Sequence, residues 1–333
     1  MEESTTTIYD VARVAGVSMA TVSRVVNGNA NVKEKTRQKV LDAIEELDYR
    51  PNAVARGLAS KRTTTVGVVL PTITLPYFAE IARGIDDIAS MYQYNVILAN
   101  SDGEEEKELK VIESLFSKQV DGIVYMGSFM TEKVRKQLQS TRTPIVLAGM
   151  IDVDKRMSSV NIDYRLAAHQ TTSELIQNNK RIAFVSGSLE EAENTERMVG
   201  YQEALEEAGV KFDESLVFEG NYSFENGLAL AEQMLSKKID AAIVSYDTVA
   251  VGLLNALLAK GVKVPEDFEI ISGSNSPITA YMYPGLTSVN QPLYDIGAVS
   301  MRLLTKLMHK EEIEENQLLL AHQIIKRGST KQK

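Results

Sequence analysis

The sequence predicts a two-part α/β protein, with a small all-α segment in front of a larger two-lobed body. Short helices separated by glycines fill the first sixty residues, where no strand-like run occurs. From Val66 onward, apolar strand-like runs alternate with helical stretches, and a second series of this alternation begins near residue 181. Two βα series of similar length predict two doubly wound parallel sheets with a ligand cleft between them.

The composition is that of an ordinary globular chain. Its 333 residues include 44% hydrophobic and 24% charged side chains, enough to bury a large core. The chain has no cysteine, which excludes disulfides and thiolate sites. The polar start, MEESTTTIYD, lacks a signal-peptide core, and no run approaches the roughly 18 apolar residues of a spanning helix. We therefore expect a cytoplasmic protein without a membrane span.

Charge is distributed unevenly along the chain. The overall net charge is −9, but residues 1–62 carry ten Lys/Arg against eight Asp/Glu, whereas the remainder carries 26 against 37. The positive side chains of the N-terminal segment lie mostly at its two ends, and most of its acids fall over 34–48. A small DNA-binding unit on an acidic body would show this segregation.

The N-terminal segment begins with a helix, a glycine break and a second helix. Thr7 can cap a helix over 8–14, with Asp10 at its third position completing a capping box. Gly16 breaks this helix, and a second one follows over 19–27. Helix, turn and helix in this order are the parts of a helix-turn-helix unit.

The second of these helices carries the groups that a DNA-reading helix needs. Ser18 caps it, Gly28 ends it, and its N-terminal half holds short polar side chains. Arg24 adds a long fork that can reach guanine edges in a major groove. A small helical bundle with a solvated polar face would show the same pattern, so this alternative stays open.

The segment continues with a third helix over 36–47, in which Val40, Ile44 and Leu47 form one stripe. Pro51 interrupts it, and a short helix over 52–60 precedes a polar link. The predicted boundaries are 1–50 for the headpiece, 51–65 for the hinge helix and linker, and 66–333 for the two-lobed core.

The core is predicted from alternating apolar and helical stretches. The strand-like runs lie at 66–71, 95–101, 122–127, 144–149, 181–187, 216–220, 240–247 and 268–275. The helical stretches include 77–92, 105–117, 196–208, 225–236, 249–260 and 294–310. A further strand-like run over 317–325 closes the body.

Catalysis finds little support in the sequence. His169, His309 and His322 lie far apart and lack the spacing of zinc ligands. Nucleophile-elbow, P-loop and dinucleotide-binding motifs are absent from the sequence. We expect a protein that is not an enzyme and that uses no metal and no organic cofactor.

A long stretch of the sequence resembles a known family of DNA-binding regulators. The lactose-repressor family's headpiece is similar, nearly end to end, to TIYDVARVAGVSMATVSRVVNGNANVKEKTRQKVLDAIEELDYRPNAVARGLAS. The βα body resembles the same family's periplasmic-binding-protein-like core, so the resemblance covers essentially the whole chain. Within the family, this chain is similar to the Gram-positive regulators of carbon catabolite genes. The stretches that carry this similarity are RPNAVARGLASKRTTTVGVV, KQVDGIVYMG and QPLYDIGAVSMRLLTKLM.

This resemblance implies a set of DNA contacts. Carried over position by position, the base and phosphate contacts are Thr7, Tyr9, Ser18, Met19, Ala20, Thr21, Ser23, Arg24, Asn27 and Asn31. The segment 52–60 corresponds to a hinge helix that is too short to be stable alone and folds on DNA. Leu58 would wedge between base pairs and kink the duplex, and the minor groove would be lined by Asn52, Ala55, Arg56 and Ala59.

The resemblance also places effector groups in the cleft. Arg197 and Asp247 occur where family members hold their effectors, and both types suit sugar hydroxyls or phosphates. An interlobe salt bridge between the two is the alternative. Asn275 stands where relatives commonly have Asp, which leaves the effector undefined. Small phosphosugars are the adjunct effectors that the resemblance implies.

The helix over 294–310 has two faces. Ile296, Leu303, Leu307 and Met308 can pack inward, whereas an outward stripe holds Asp295, Ala298, Arg302 and Lys306. From the residues alone, a solvated face explains the stripe. The resemblance implies instead a docking surface for serine-phosphorylated HPr, with Arg302 on the phosphate. Its other contacts would be Met19, Asp86, Tyr294, Asp295, Ala298, Val299, Leu303 and Lys306.

The combined expectation is a homodimer that binds a pseudo-palindromic operator and mainly represses carbon catabolite genes, with serine-phosphorylated HPr as corepressor. Gln323 replaces a basic residue of relatives, so part of the corepressor contact differs. A sugar-responsive repressor of a single operon, or a sugar-binding protein without a regulatory role, is the alternative, because the same core fold serves transport.

Overall fold

The computed structural model describes residues 6–26, 28, 31–50, 63–127 and 130–331. The chain divides into two compact units, Met1–Thr63 and Thr64–Lys333. The predicted hinge positions Asn52, Ala55, Arg56, Leu58 and Ala59 lie outside the described residues, as does Asn27.

The smaller unit begins with the predicted helix-turn-helix pair, α1 (Ile8–Ala15) and α2 (Met19–Val26). The predicted cap of α1 is confirmed, because the backbone N–H and the hydroxyl of Thr7 donate to the Asp10 carboxylate at 3.0 and 2.7 Å. Gly16 ends α1 in the left-handed region at φ +65, which glycine adopts without steric cost.

A third helix completes this unit. Helix α3 spans Glu34–Glu46, so it begins two residues before the predicted start and places the Glu34 carboxylate in its first turn, where the helix dipole favours an acid. The three helices share one apolar cluster, whose buried members are Val11, Ala12, Ala15, Val22, Val25, Val40 and Ala43.

The larger unit contains two parallel-dominated sheets, as predicted. The first has the order β11-β5-β4-β3-β1-β2, and its neighbouring strands run parallel. Its strands are β1 Thr65–Leu70, β2 Asn95–Asn100, β3 Gly122–Tyr125, β4 Ile145–Ala148, β5 Ser158–Ile162 and β11 Gln317–Leu320. The helices of this lobe are α4 Pro76–Met91, α5 Glu105–Ser117, α6 Glu132–Gln139 and α12 Leu293–His309.

The second sheet has the order β12-β10-β9-β8-β6-β7, with β12 antiparallel to β10 at one edge. Its strands are β6 Ile182–Ser186, β7 Val217–Glu219, β8 Ala241–Val244, β9 Glu269–Ser272, β10 Thr287–Asn290 and β12 Gln323–Ile325. The helices of this lobe are α7 Tyr164–Ile176, α8 Ala192–Glu207, α9 Phe224–Ser236, α10 Asp247–Ala259 and α11 Ile278–Tyr281.

The run 317–325 is not the single strand that the sequence predicted. Its first part, β11, pairs with β5 in the first sheet, and its second part, β12, pairs with β10 in the second sheet. The chain also passes between the lobes after β5 and after β10. Each lobe is therefore assembled from segments that are distant in sequence, and three connections join the lobes in the described residues.

Helices α4 and α12 pack closely through glycines. A Cβ atom at Gly84 would lie 2.1 Å from the Tyr294 carbonyl oxygen, and one at Gly297 would lie 2.0 Å from that of Ile81. The prediction that Ala298 faces outward was wrong, because Ala298 is buried at this contact. The outward row of α12 is consequently reduced to its longer polar side chains.

Across the described ranges, every helix falls short of the length or the apolar character that crossing a membrane requires.

Candidate functional site

Helix α2 presents a polar face away from the core of its unit. Val22 and Val25 are buried, whereas Met19, Ala20 and Arg24 are exposed. Around the start of the helix, the Ser18 hydroxyl accepts from the Thr21 backbone N–H at 3.2 Å and lies 2.9 Å from the Thr21 hydroxyl. The outer side of the helix therefore holds small polar groups and Arg24, whose guanidinium has no partner among the described residues.

Other predicted DNA contacts lie on the same unit. Tyr9 is 66% exposed on α1, and Thr7 is exposed at the helix start. Asn31 is exposed after α2, and Ser23 is partly exposed on it. The unit thus displays these polar side chains on its surface, where a nucleic acid could reach them.

A cavity lies between the two lobes of the core. Its wall includes residues that directly follow parallel strands, such as Gly149 after β4 and Ser245 after β8. Ligands of open α/β sheets characteristically bind at these carboxyl ends. Aromatic rings from both lobes form much of the wall, namely Tyr77, Phe78, Tyr164, Tyr222 and Tyr246.

The cavity wall contains both charged residues that the sequence proposed as effector groups. Arg197 stacks on the Tyr164 ring at 4.3 Å from its centroid, and its Nη1 donates to the Asn194 side-chain oxygen at 2.8 Å. The Asp247 carboxylate accepts from the Ser272 hydroxyl and from the backbone N–H of Ser276. No ion pair joins Arg197 to Asp247 in the described part of the chain.

Asn275 is placed differently from these two. Its Nδ2 donates to the Asn290 side-chain oxygen at 2.8 Å, and its Oδ1 accepts from Arg327 at 2.7 Å. It has φ +55 and is absent from the described cavity wall. Its contacts tie the loop after β9 to β10 and to the C-terminal segment.

Two acidic residues of the cavity wall were missed by the sequence reasoning. The Glu191 carboxylate accepts from the Tyr222 hydroxyl and from Asn194, each at 2.8 Å, and burial raises the pKa of Glu191 to about 7. The Glu193 carboxylate accepts from the Ile151 backbone N–H, and burial raises its pKa as well. The sequence feature that could have indicated both as cavity residues is their position in the loop and first helical turn after β6.

Contacts across the cavity join the lobes directly. The hydrogen bond from Ile151 to Glu193 connects the loop after β4 with α8. The Tyr164 hydroxyl donates to the Gly149 carbonyl oxygen at 3.0 Å, beside the stacked Arg197 guanidinium. These bonds hold the two lobes together around the cavity.

A second candidate surface lies on the outer side of α4 and α12. Asp295, Arg302 and Lys306 are exposed along α12, whereas Leu303 is buried and Val299 is partly buried. Asp86 is exposed on α4. The outer face therefore carries an acidic end near the start of α12 and a basic end two turns further along.

Tyr294 is fixed between the two helices. Its hydroxyl donates to the Asp87 carboxylate at 3.0 Å, and the Arg83 guanidinium lies 5.4 Å from its ring centroid. The hydrogen bond to Asp87 raises the pKa of Tyr294. Arg83 and Asp87 were missed by the sequence reasoning, since their role depends on α4 lying beside α12.

Metal-binding geometry does not occur within the described residues, where no three His, Cys, Asp or Glu side chains form a possible metal cluster. His169 lies 2.9 Å from Glu207, and His322 lies 3.0 Å from Gln170. The histidines are thus separate surface contacts.

Comparison with known proteins identifies the family. The model of bacterial regulatory proteins of the lacI family matches residues 7–52, and a periplasmic binding protein-like domain matches residues 173–330. Catabolite control protein A of Streptococcus mutans is 55% identical over 330 residues, covering 99% of both chains. The chain belongs to the LacI family. It is a DNA-binding transcriptional regulator with the headpiece and core of that family.

Further relatives match between four fifths and nearly all of the chain. Catabolite control protein A of Priestia megaterium is 50% identical and covers 98% of this chain and 99% of its own. The crystal structure of the transcription regulator CcpA of Lactococcus lactis is 69% identical with a TM-score of 0.79, over 81% of this chain and 100% of that one. The lac repressor dimer bound to operator and the anti-inducer ONPF is 25% identical with a TM-score of 0.88, over 98% and 99%.

Proposed function

We propose that this regulator acts as a homodimer in the cytoplasm, where it binds pseudo-palindromic operators and mainly represses carbon catabolite genes. One headpiece would read each half-site, because a two-fold dimer matches a two-fold operator. The relatives named catabolite control protein A and the operator-bound lac repressor dimer support this proposal. Its chemistry is binding, without an enzymatic step or a cofactor.

The corepressor in this proposal is serine-phosphorylated HPr, docked on the outer face of α12. The observation that carries the assignment is the exposed polar row beside Tyr294, on a helix whose other face is packed. Arg302 makes no hydrogen bond or ion pair with the described residues, so its guanidinium remains available for a phosphate. Arginine binds a phosphate bidentately, which suits this role.

The remaining contacts follow from the same surface. Lys306 lies one helical turn beyond Arg302 and adds positive charge, whereas Asp295 and Asp86 offer carboxylates to basic groups of the partner. Ala298 is buried and acts as a spacer between α4 and α12. Val299 on α12 and Met19 of the smaller unit are contacts that the family resemblance alone implies.

The test is a charge reversal, Arg302→Asp, in the full-length protein. A carboxylate facing the phosphate replaces a charge-assisted hydrogen bond with repulsion. We expect folding, dimerisation and basal operator affinity to stay near wild type, because surface substitutions usually change stability by under about 0.5 kcal/mol. The gain in operator affinity given by phosphorylated HPr should disappear.

Lys211→Asp is the matched control, since Lys211 is also an exposed basic residue but lies away from α4 and α12. Both variants are titrated with operator DNA at one fixed salt concentration, with and without phosphorylated HPr, because protein–DNA affinity depends steeply on salt. If phosphorylated HPr still raised the operator affinity of the Arg302→Asp variant by the wild-type factor, the polar row of α12 would be ordinary solvent-exposed surface.

A second candidate function is favoured by the interlobe cavity. Its aromatic walls and the polar side chains of Arg197 and Glu193 suit a small polyhydroxyl effector, as in a sugar-responsive regulator. Sugar titrations of the full chain distinguish this function from HPr control. Phosphosugars are the adjunct effectors that the family resemblance implies.

A further inference from the structure

One of the connections between the two lobes is only two residues long. Strand β11 ends at Leu320 in the first sheet, β12 begins at Gln323 in the second, and Ala321 and His322 lie between them. Rotation of one lobe against the other is absorbed by the few residues at such connections. A contact that fixes His322 therefore restrains the relative orientation of the lobes.

His322 is held against the helix that begins at another of these connections. Its Nε2 atom lies 3.0 Å from the Oε1 atom of Gln170, in the second turn of α7. Helix α7 starts directly after β5, and the connecting residue Asp163 caps it by accepting from the Leu166 backbone N–H at 2.8 Å. The imidazole therefore ties the β11–β12 connection to the element that follows the β5 connection.

The charges that surround this imidazole are few. Asp163 is the charged group that acts on His322 among the described residues. Strands β5, β11 and β12, which flank the two connections, contain no titratable side chain. The other charged side chains of α7 are paired elsewhere: Arg165 with Glu203, His169 with Glu207 and Glu174 with Lys326. A proton on His322 would therefore be balanced by Asp163 alone.

The folded arrangement opposes a positive charge on this ring. Burial lowers the pKa of His322, and the Asp163 carboxylate raises it by a smaller amount. Because the ring binds a proton more weakly here than in an open chain, the described arrangement is fully favoured above the ordinary histidine pKa of about 6.5. It loses this advantage as the pH falls through that value towards the lowered pKa of the folded state.

We propose that His322 is a proton-sensitive latch. As a neutral imidazole it holds the β11–β12 connection against α7, and protonation releases it, so that acidification loosens the lobes and lowers operator affinity. The structure is similar to that of the operator-bound lac repressor, which assigns the latched arrangement to the DNA-binding state. Two headpieces bind two half-sites only at a defined spacing, so a loosened core binds the operator less tightly.

The experiment measures operator affinity of the full chain at about pH 7.5 and about pH 5.5, at one fixed salt concentration. The key variant is His322→Gln, whose amide can still bond to Gln170 but cannot take up a proton. We expect the wild type to lose operator affinity on acidification several-fold more than this variant does. An equal loss in both proteins would overturn the proposal, because other groups would then account for the whole pH dependence.

The matched controls are His169→Gln and His309→Gln. Each of these histidines lies beside a glutamate, Glu207 or Glu311, and neither lies at a connection between the lobes. Both variants should lose as much operator affinity on acidification as the wild type does. Because the chain has three histidines, the same three variants also assign the imidazole signals in a nuclear magnetic resonance spectrum.

The titration of the His322 signal in the wild type is the second measurement, and it decides even where His322→Gln folds poorly. We expect its midpoint to lie below about pH 6.5 and to fall further when the operator is saturating, because linkage makes the proton and the operator compete. A midpoint that the operator leaves unmoved would contradict the latch. Neither measurement contains HPr, so failure of the latch and failure of the corepressor function give separate results.

Discussion

At the scale of single residues, Arg24 is the clearest candidate for reading a base. It is exposed on α2 and makes no hydrogen bond or ion pair within the described ranges. Arg13, by contrast, is exposed on α1 and already pairs with Asp10 at 3.1 Å. A bidentate contact with guanine requires a long arginine side chain whose guanidinium has no intramolecular partner.

We predict that Arg24→Ala weakens binding to the specific operator by about 1–3 kcal/mol and changes binding to random DNA much less. Arg13→Ala is the control and should leave the ratio of specific to random affinity as it is in the wild type. The measurement is a pair of titrations per variant at equal salt, with operator and with random duplex. An equal loss on both duplexes would make Arg24 a phosphate contact.

Single-residue roles in the cavity were only partly predictable. Asp247 was identified through the family resemblance, and it does line the cavity. Its hydrogen bonds to Ser272 and Ser276 depend on how the loop after β9 returns, which no local pattern encodes. Glu191 and Glu193 were missed because a glutamate near a helix start is most often solvated surface.

At the scale of elements, the long apolar segments were predicted and the polar buried strands were not. Helix α5 matches its predicted bounds, and β8 and β9 lie within theirs. Strands β5 (SSVNI) and β10 (TSVN) lack the continuous apolar run that marks a buried parallel strand. Buried serines on these strands make hydrogen bonds, Ser159 with Gln317 and Ser288 with the Leu286 carbonyl oxygen, which makes their burial tolerable.

The packing of α4 on α12 leads to a stability prediction with a definite sign. Helix propensity alone says that Gly297→Ala stabilises the protein by about 1 kcal/mol. The new Cβ, however, would meet the Ile81 carbonyl oxygen at 2.0 Å, and backbone atoms cannot yield as a flexible side chain does. We therefore expect Gly297→Ala to destabilise the core by about 1–3 kcal/mol, as overpacking does.

Thermal unfolding of the full chain measures this effect, with Ser90→Ala, an exposed substitution on α4, as the control that should change little. A raised melting temperature for Gly297→Ala would mean that the two helices lie further apart than described. The same close contact holds Tyr294 against Asp87, so the variant should also weaken HPr docking.

At the scale of the whole molecule, the lobes are built as one system. Three connections pass between them in the described residues, and hydrogen bonds such as Tyr164 to Gly149 cross the cavity. Strand β11 joins the sheet on which α12 packs, and β12 joins the other sheet. A partner on α12 therefore contacts an element tied to both lobes, which gives a physical route from docking surface to core conformation.

The whole-molecule prediction is that corepressor and operator strengthen each other equally. If phosphorylated HPr raises operator affinity by some factor, linkage requires the operator to raise the affinity for phosphorylated HPr by that same factor. We expect a factor of about 5–150, corresponding to about 1–3 kcal/mol of coupling. Measuring HPr binding with and without saturating operator gives one side of the cycle, and operator binding with and without HPr gives the other.

Arg24→Ala, which lowers operator affinity through the headpiece, should leave the coupling factor unchanged, whereas Arg302→Asp should bring it to one. Unequal factors on the two sides would mean that a further species takes part, and a coupling factor that falls with Arg24→Ala would place part of the HPr response in the reading helix itself.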